Sequence, residues 1–477
     1  MGELKKKAVS SVVWSAIDRF SSQIVQLAIG IIIARILLPS DYGLIAMIGI
    51  FIAIAQNFVD SGFSSALIQK KNRTEVDYST AFLSNIAISI IAYMILYFSA
   101  PYIASFYKIP ELELITKIVC LNIVISALGV VQRARLTILL NFKLQAIISL
   151  ASVIVSGIIA IIMAYKGFGV WALVVQSLIS NVITILLLWI LSKWKPILSF
   201  SKESFKSLFN FGYKLLLSGL LHTIYANLYT LVIGKKFSSD DAGLYSRASS
   251  LSQLPSFNIT QVMARAIFPI QCDMQDDNEK LRLLFVSHLR MACYIVFPIM
   301  VGICAVAKPL VIILLTEKWL PMVPLLQILC IAYMWYPIML INNQILNVKG
   351  RSDYFLKAEI IKKVIAFLIL FITMPFGLKY LCYGLIIYSF IDIYVITRYS
   401  IKILNIGLFQ QFKELFLIII LVFTMGGIAY GSTLIFKNTY MQLITGVFAG
   451  GFYFIAMSVV FKLKEFYTAI NLIKIKL

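Results

Sequence analysis

Two arginines inside an otherwise apolar stretch are the residues with the clearest chemical potential. The predicted helix 243–269 carries Arg247 and Arg265 eighteen residues apart, which is five turns at 3.6 residues each. Both guanidinium groups therefore point the same way, with Asn258 and Gln261 near the same stripe. Guanidinium groups are strong hydrogen-bond donors to phosphate and carboxylate oxygens. The spacing predicts a helix that lines water or an anionic ligand and does not face acyl chains.

Charged and polar residues also gather in three other predicted helices, 12–37, 43–68 and 207–234. Such groups are costly inside a bilayer, so each is by default a candidate for function. The candidates for lining a cavity and binding a substrate are Arg19, Lys214, His222, Arg247, Asn258, Gln261 and Arg265. The candidates for ion coupling or gating are Asp18, Asn57 and Asp60. The cationic balance of this set suits an anionic substrate.

These residues also have structural interpretations, which stay open at this point. Arg247 and Arg265 lie near the predicted membrane boundaries, where a long basic side chain can extend to the lipid headgroups. Asp18 and Arg19 can form an ion pair at the interface, and His222 can hydrogen-bond between helices. Two acidic residues outside the main set, Glu359 and Asp392, are interpreted as structural or interfacial.

The composition bounds the class of protein. The chain has 477 residues, of which 61% are hydrophobic and 13% are charged, and apolar runs long enough to cross a bilayer recur from end to end. The net charge of +21 fits the concentration of Lys and Arg in cytoplasmic loops better than it fits nucleic acid, so no nucleic-acid partner is expected. The six cysteines are scattered without metal-ligand spacing. The sequence therefore predicts an all-α polytopic membrane protein without a metal site or cofactor.

Hydropathy predicts fourteen membrane-spanning helices. Their ranges are 12–37, 43–68, 79–107, 113–134, 146–165, 168–192, 207–234, 243–269, 289–316, 322–347, 357–376, 379–401, 413–435 and 440–461. With the N-terminus inside, Lys and Arg in the inside segments outnumber those in the outside segments by roughly three to one. This bias predicts a multi-pass protein of the cytoplasmic (inner) membrane whose N- and C-termini are both cytoplasmic.

A repeat 200 positions apart divides the chain. Pro39-Ser40-Asp41-Tyr42-Gly43-Leu44 and Ser239-Asp240-Asp241-Ala242-Gly243-Leu244 each follow an apolar helix and a basic residue. The copies lie six spans apart, so they cross the membrane in the same sense and predict two parallel six-helix lobes. The predicted lobes are 1–192 and 207–401, with a cytoplasmic linker 193–206 and two further helices with a basic tail in 402–477. Asp41 and Asp241 are predicted to cap the following helices, and Gly43 and Gly243 to permit a tight turn.

The residues around the first repeat resemble a known family. Ala34–Leu44, Asp60–Gln69 and Ser79–Phe82 are similar to the start of bacterial polysaccharide exporters of the Wzx flippase type, especially the colanic-acid and teichuronic-acid subgroup. Ile233–Lys235 and Gly243–Tyr245 extend the resemblance. It implies the fold of the multidrug/oligosaccharidyl-lipid/polysaccharide (MOP) exporters, with about 14 transmembrane helices in two six-helix lobes plus two C-terminal helices.

The resemblance also implies a function. Such exporters flip an undecaprenyl-diphosphate-linked oligosaccharide repeat unit across the cytoplasmic membrane by alternating access, for O-antigen, capsule or exopolysaccharide biosynthesis. The expected partners are this lipid-linked oligosaccharide, membrane lipids, and a polysaccharide polymerase with its chain-length machinery. The diphosphate is an anion, which agrees with the cationic set of helices. Coupling to a H⁺ or Na⁺ gradient would involve Asp18 or Asp60.

Two other functions are weighed against this one. A cation-coupled multidrug efflux transporter of related fold often carries cationic substrates, which a basic cavity disfavours. A membrane glycan polymerase or ligase would need catalytic groups, whereas the chain has two histidines, His222 and His288, and no catalytic constellation. The sequence therefore predicts a transporter and not an enzyme.

Overall fold

The structure is a computed structural model that describes residues 21–60, 62–70, 72–197 and 199–474; the side chains of a few of these residues, among them Asp60 and Lys214, are outside the description. Within these ranges the chain is helical and contains no strand. The predicted all-α fold is confirmed. The chain packs as two compact units, Met1–Gly243 and Leu244–Leu477.

The first unit is built from ten helices and the start of an eleventh. They are α1 (Ser21–Ile36), α2 (Pro39–Asp60), α3 (Phe63–Gln69), α4 (Glu75–Tyr107), α5 (Glu111–Val119), α6 (Leu121–Ala127), α7 (Val130–Ile138), α8 (Phe142–Tyr165), α9 (Val170–Ser192), α10 (Lys202–Lys236) and α11 (Ser239–Asp273). Most of α11 belongs to the second unit. The helices that follow it are α12 (Asn278–Ala305), α13 (Ala307–Leu315), α14 (Val323–Tyr333), α15 (Tyr336–Val348), α16 (Ser352–Thr373), α17 (Leu378–Leu404), α18 (Leu408–Thr433), α19 (Thr439–Val460) and α20 (Lys464–Lys474).

All fourteen predicted segments coincide with helices over the described residues, but several are broken. The segment predicted as one helix at 113–134 is α5, α6 and α7, with a bend of 40° before α7. Gly129 lies at the bend and packs closely on α9, because a Cβ there would lie 2.3 Å from Ile185 Cδ1. Hydropathy measures apolar content and carries no information about such a contact. The short helix α20 was not among the predicted segments.

By length and apolar composition, nine helices of the described chain could cross a membrane, or ten if the bent pair counts as one span. Three long helices, α10, α11 and α16, do not pass this test because polar or charged residues interrupt them. In a membrane such interruptions require partners, since lipid supplies no hydrogen bonds. The three polar helices are therefore the first place to look for a site.

The predicted linker 193–206 is fastened to the first unit. Trp194 Nε1 donates to Glu75 Oε2 at 2.7 Å, and the Ile197 amide donates to Ser79 Oγ at 3.0 Å. The indole of Trp194 packs at the edge of Phe82, in an aromatic cluster at the start of α4. Helix α10 then follows and packs against α2, α3 and α4. These contacts show how the segment packs, but they do not show where each repeated lobe begins and ends. The predicted lobe boundaries therefore stay a prediction.

Candidate functional site

The predicted site residues lie on four helices, and not all of them can be placed. Asp18 and Arg19 fall outside the described residues. Asp60 ends α2 and Lys214 lies in α10, and their side chains are likewise outside the description. The structure therefore places only the remaining predicted residues within their own units.

Asn57 lies where α2 crosses α10. Its Nδ2 donates to Thr223 Oγ1 at 2.6 Å and to the carbonyl of Ala53 at 2.8 Å. On the α10 side the amide meets Gly219, where a Cβ would lie 2.6 Å from Asn57 Oδ1. The side chain is thus part of the contact between the two helices. His222, next to Thr223, is exposed on α10.

Glycines lie at the contacts of α10 with α2 and with the start of α3. A Cβ at Gly62 would lie 2.5 Å from the Cα of Gly212, and one at Gly234 would lie 2.7 Å from Met47 Cγ. Gly62 also has a φ of 71°, which a residue with a Cβ adopts at a cost. The amide of Asn57 is bonded to Thr223 and packed on Gly219, so Asn57 acts in the contact between α2 and α10.

The repeated segments meet each other. A Cβ at Gly43 would lie 1.8 Å from the carbonyl oxygen of Ser239, and a Cβ at Gly243 would lie 1.9 Å from the carbonyl oxygen of Pro39. The contact is reciprocal, with the start of α2 crossing the start of α11. The sequence predicted these glycines for a tight turn; both lie inside helices, and the neighbouring backbone is what excludes a side chain.

The aspartates of the repeat bond to the backbone ahead of their helices. Asp41 Oδ2 accepts from the Leu38 amide at 2.9 Å. Asp241 Oδ2 accepts from the Ser238 amide at 3.3 Å and from its hydroxyl at 2.8 Å, and Ser238 Oγ accepts from the Asp241 amide at 3.1 Å. The second arrangement is a capping box, in which side chains at the helix start satisfy free amides reciprocally.

In the second unit, the amides predicted on α11 bond to neighbouring protein atoms. Gln261 Nε2 donates to the Tyr336 hydroxyl at 3.5 Å, and Asn258 Nδ2 donates to the carbonyl of Leu254 at 2.9 Å. The ring of Phe257 stacks on Tyr336 with centroids 4.1 Å apart. Part of the polarity of α11 is therefore used in packing against α15.

Other polar groups of α11 also bond to α14 and α15. Gln253 Nε2 donates to the Tyr333 hydroxyl at 3.0 Å, and Ser256 Oγ donates to the Tyr333 carbonyl at 2.7 Å. Gln344 of α15 donates to the Ala264 carbonyl at 3.1 Å. These bonds join α11 to α14 and α15 and give several of its polar groups protein partners, which a polar helix in a bilayer requires.

The two arginines of α11 differ in environment. Arg265 is exposed and Arg247 is half-buried. Eighteen residues of α-helix span roughly 27 Å at 1.5 Å per residue, about the thickness of the hydrocarbon core. One diphosphate group is far shorter than this distance. The two arginines therefore cannot hold the same diphosphate at the same time, and any joint role must be sequential.

Sequence reasoning missed Lys362. The structure places it in α16, with 2% of the residue exposed. Its ammonium group pairs with Asp392 of α17 at 3.2 Å and with Glu359 one turn earlier. The Glu-x-x-Lys spacing at 359–362 inside a predicted helix was the available signal.

Among residues 21–474, with the gaps named above, no group of three or more His, Cys, Asp or Glu side chains is arranged to hold a metal ion. The described site candidates lie in two groups, each within its own unit. Asn57 and His222 lie on α2 and α10 of the first unit, and the second unit carries four candidates on α11: Arg247, Asn258, Gln261 and Arg265. The face of α11 with Arg247 and Arg265 is the part whose chemistry suits an anionic substrate.

Known sequences similar to this chain belong to polysaccharide biosynthesis. The family model described as "Polysaccharide biosynthesis protein" matches residues 32–324. The chain is 27% identical to the teichuronic acid biosynthesis protein TuaB of Bacillus subtilis (strain 168), over 93% of this chain and 92% of that protein. It is 25% identical to the lipopolysaccharide biosynthesis protein WzxC of Escherichia coli (strain K12), over 75% of this chain and 73% of that protein.

Comparison with solved structures concerns the fold. The lipid II flippase MurJ in an inward closed conformation superimposes with a TM-score of 0.75 at 15% identity, covering 94% of this chain and 98% of that one. An inward-facing multidrug resistance MATE family transporter of the MOP superfamily gives a TM-score of 0.62 at 16% identity, covering 83% and 98%. The predicted MOP transporter fold is confirmed.

Proposed function

Because the chain belongs to the polysaccharide biosynthesis protein family, we propose that it flips a polyprenyl-diphosphate-linked oligosaccharide from the cytoplasmic to the outer leaflet of the cell membrane. The resemblance predicted from residues 34–82 is confirmed by this family match. The MOP fold supports a transport function, and the related proteins TuaB and WzxC are named for teichuronic acid biosynthesis and lipopolysaccharide biosynthesis. The observation that carries the chemistry is the arginine face of α11 in this fold.

The proposed mechanism is binding and release without covalent chemistry, so the protein is a transporter and not an enzyme. With both termini cytoplasmic, Arg265 lies towards the inner leaflet and Arg247 towards the outer one. Arg265 contacts the diphosphate when the substrate enters, and Arg247 contacts it after the protein has changed its access side. Charge-assisted hydrogen bonds to phosphate are strong. A site with one arginine binds the diphosphate less tightly than a site with both would, so the substrate can leave each site in turn.

Other parts of the predicted site keep their roles as proposals. Arg19, Lys214 and His222 are further groups for the headgroup, while Asp18 or Asp60 would couple flipping to a H⁺ or Na⁺ gradient. The lipid tail stays in the bilayer throughout, which avoids transferring it through water. A polymerase with its chain-length machinery would receive the flipped repeat unit in the outer leaflet of the inner membrane.

Deletion of the gene tests the function. We expect a complete lipid-linked repeat unit to accumulate on the cytoplasmic leaflet, measured by mass spectrometry of extracted lipids and by protection of the glycan from an externally added lectin. Restoring the wild-type gene should remove the accumulated intermediate. Unchanged surface polysaccharide together with no accumulation in the deletion strain would refute the proposal, and glycan-linking activity of the purified protein would favour a polymerase or ligase.

The two arginines provide a finer test. Arg265→Gln and Arg247→Gln should each lower export at equal protein amounts, with the intermediate retained on the cytoplasmic side. The double variant should lose more than either single variant, because the sites act one after the other. Normal export by the double variant at normal membrane levels would leave the family function intact and would exclude the α11 arginines from it.

A further inference from the structure

Basic and aromatic side chains gather where α16 begins and α17 ends, in the second unit. Lys402, in the last turn of α17, holds its ammonium group 5.4 Å from the ring centre of Tyr354 and 5.7 Å from that of Tyr399. These two rings lie 5.4 Å apart. Arg398, one turn earlier, lies over the ring of Tyr394 at 5.6 Å. Tyr354, Tyr394, Arg398, Tyr399 and Lys402 thus form one surface, the α17 patch.

The charge of the α17 patch is not balanced by neighbouring acids in the described chain. Arg351, at the start of α16, also lies over Tyr354, but it donates to both oxygens of Asp353 at 2.8 Å. Of the described carboxylates, none lies within ion-pair distance of Arg398 or Lys402, and both side chains are exposed. Residues four apart on a helix have Cβ atoms roughly 6 Å apart, so both cations can reach one phosphate group.

The face of α17 that leads to these cations is apolar. Ile387, Phe390 and Tyr394 precede Arg398 at intervals of three and four residues, so the four side chains share one face. All four are exposed, and α17 is long and apolar enough to cross a membrane. Tyrosines are enriched at the level of lipid headgroups. The face therefore offers apolar contact for acyl chains and, at its end, cations for a negatively charged headgroup.

The position at a helix end explains only part of this arrangement. A lysine in the last turn is favoured by the helix dipole, and basic residues are common at the cytoplasmic ends of membrane helices. A side chain that extends into water satisfies both effects. Lys402 instead lies against two rings, and Arg398 lies against Tyr394, so the positions of both charges are restricted. Cations positioned beside an apolar surface suit a ligand that has both a negative charge and hydrocarbon chains.

We propose that the α17 patch binds the headgroup of an anionic phospholipid. Arg398 and Lys402 donate to its phosphodiester oxygens, and its acyl chains lie along Ile387 and Phe390. In the orientation proposed above, this lipid belongs to the cytoplasmic leaflet. The inference concerns a lipid of the surrounding membrane and neither the flipped substrate nor the arginines of α11, so it can fail or succeed independently of the proposed function.

The experiment uses the full-length protein, purified in detergent, with two matched double variants. Arg398→Gln with Lys402→Gln removes both cations of the α17 patch. Lys202→Gln with Lys206→Gln removes two exposed cations at the same spacing from the start of α10. Each protein is titrated with phosphatidylglycerol, with phosphatidylcholine and with soluble glycerol phosphate. Binding is measured by native mass spectrometry, and the thermal unfolding midpoint is measured with and without each compound.

The wild type and the α10 double variant should bind phosphatidylglycerol saturably and unfold at a higher midpoint in its presence. Each cation near a membrane surface strengthens the binding of an anionic lipid about fivefold. Lys402→Gln alone should therefore bind about fivefold more weakly, and the α17 double variant about 25-fold more weakly. Without lipid, the midpoint of the α17 double variant should equal that of the wild type, because both side chains are exposed.

Three results would overturn the proposal. The first is an equal affinity of the two double variants for phosphatidylglycerol, since the α17 patch would then have no special role. The second is equally tight binding of phosphatidylcholine by the wild type, since the net charge of the headgroup would then play no part. The third is an equal rise of the midpoint with glycerol phosphate alone, because the ligand would then be a soluble phosphate and not a lipid.

Discussion

A single methyl group at Gly43 tests the crossing between the repeated segments. A Cβ at Gly43 would lie 1.8 Å from the carbonyl oxygen of Ser239, whereas ordinary contacts begin near 3.4 Å. The difference, 3.4 minus 1.8, means that the two backbones must separate by about 1.6 Å. A flexible side chain could turn aside, but a backbone carbonyl within a helix start cannot. Gly43→Ala must therefore move α2 relative to the start of α11.

The magnitude follows from two opposing effects. Overpacking of this kind costs about 1–3 kcal/mol. Alanine in a helix is favoured over glycine by about 0.5–1 kcal/mol, which offsets part of the loss. We expect Gly43→Ala to lower the free energy of unfolding by about 1–2 kcal/mol. Gly49 lies on the same helix with nothing within 4 Å of its Cβ position, so Gly49→Ala should be stabilised by about 0.5–1 kcal/mol.

The assay is reversible unfolding of the purified variants in mixed detergent micelles, followed by circular dichroism, with export measured in cells at matched protein amounts. Gly243→Ala should behave like Gly43→Ala because its Cβ would lie 1.9 Å from the Pro39 carbonyl oxygen. The double variant should lose less unfolding free energy than the two single variants together, since one separation of the backbones relieves both clashes. Equal stability of Gly43→Ala and Gly49→Ala would refute the close crossing.

Two further perturbations address other contacts. Arg290→Met removes the guanidinium that pairs with the buried Glu465 of α20 and with the more exposed Glu414 of α18. In the same unfolding assay this variant should destabilise the protein by about 3 kcal/mol. Glu414→Gln, which removes only the more exposed partner, should cost less. If Arg290→Met and Glu414→Gln lowered the free energy of unfolding equally, the buried pair with Glu465 would add nothing to stability. Trp194→Phe removes the hydrogen-bond donor to Glu75 and should lower the free energy of unfolding by about 1–2 kcal/mol. It should also speed proteolysis at the 193–201 segment. Unchanged proteolysis would show that other contacts hold the segment.

The helix positions could be predicted because the bilayer imposes them. An apolar run of about 20 residues is needed to cross the hydrocarbon. Nine helices of the described chain, or ten with the bent pair, meet this condition. The break at Gly129 could not be predicted, since the contact there is with Ile185 of another helix, α9. The break between α14 and α15 is different, because Pro337 in the first turn of α15 is visible in the sequence. Periodicity identifies which residues share a face, but it does not identify what that face meets.

The candidate site was predictable only in part for the same reason. The Glu-x-x-Lys spacing places Glu359 and Lys362 on one helix face, but the partner Asp392 lies thirty residues later, so the sequence could not show that the lysine is buried. Gln261 and Arg265 were grouped because both are polar and share a helix. The structure separates them, because Gln261 bonds to Tyr336 while Arg265 is exposed.

This separation leads to a prediction that distinguishes packing from transport on α11. A polar group in a membrane protein must be satisfied by neighbouring protein atoms, by water or by a ligand. Gln261 meets this condition through the Tyr336 hydroxyl, so Gln261→Leu should lower stability by about 1 kcal/mol and leave export per folded molecule unchanged. Arg265→Gln should have the opposite signature, with unchanged stability and reduced export, because an exposed cation contributes little to folding. Both variants are compared by unfolding in mixed micelles and by export at equal amounts of folded protein. If Arg265→Gln unfolded earlier and exported normally, the arginine would be a packing or headgroup residue, and the face of α11 would lose its assignment to the diphosphate.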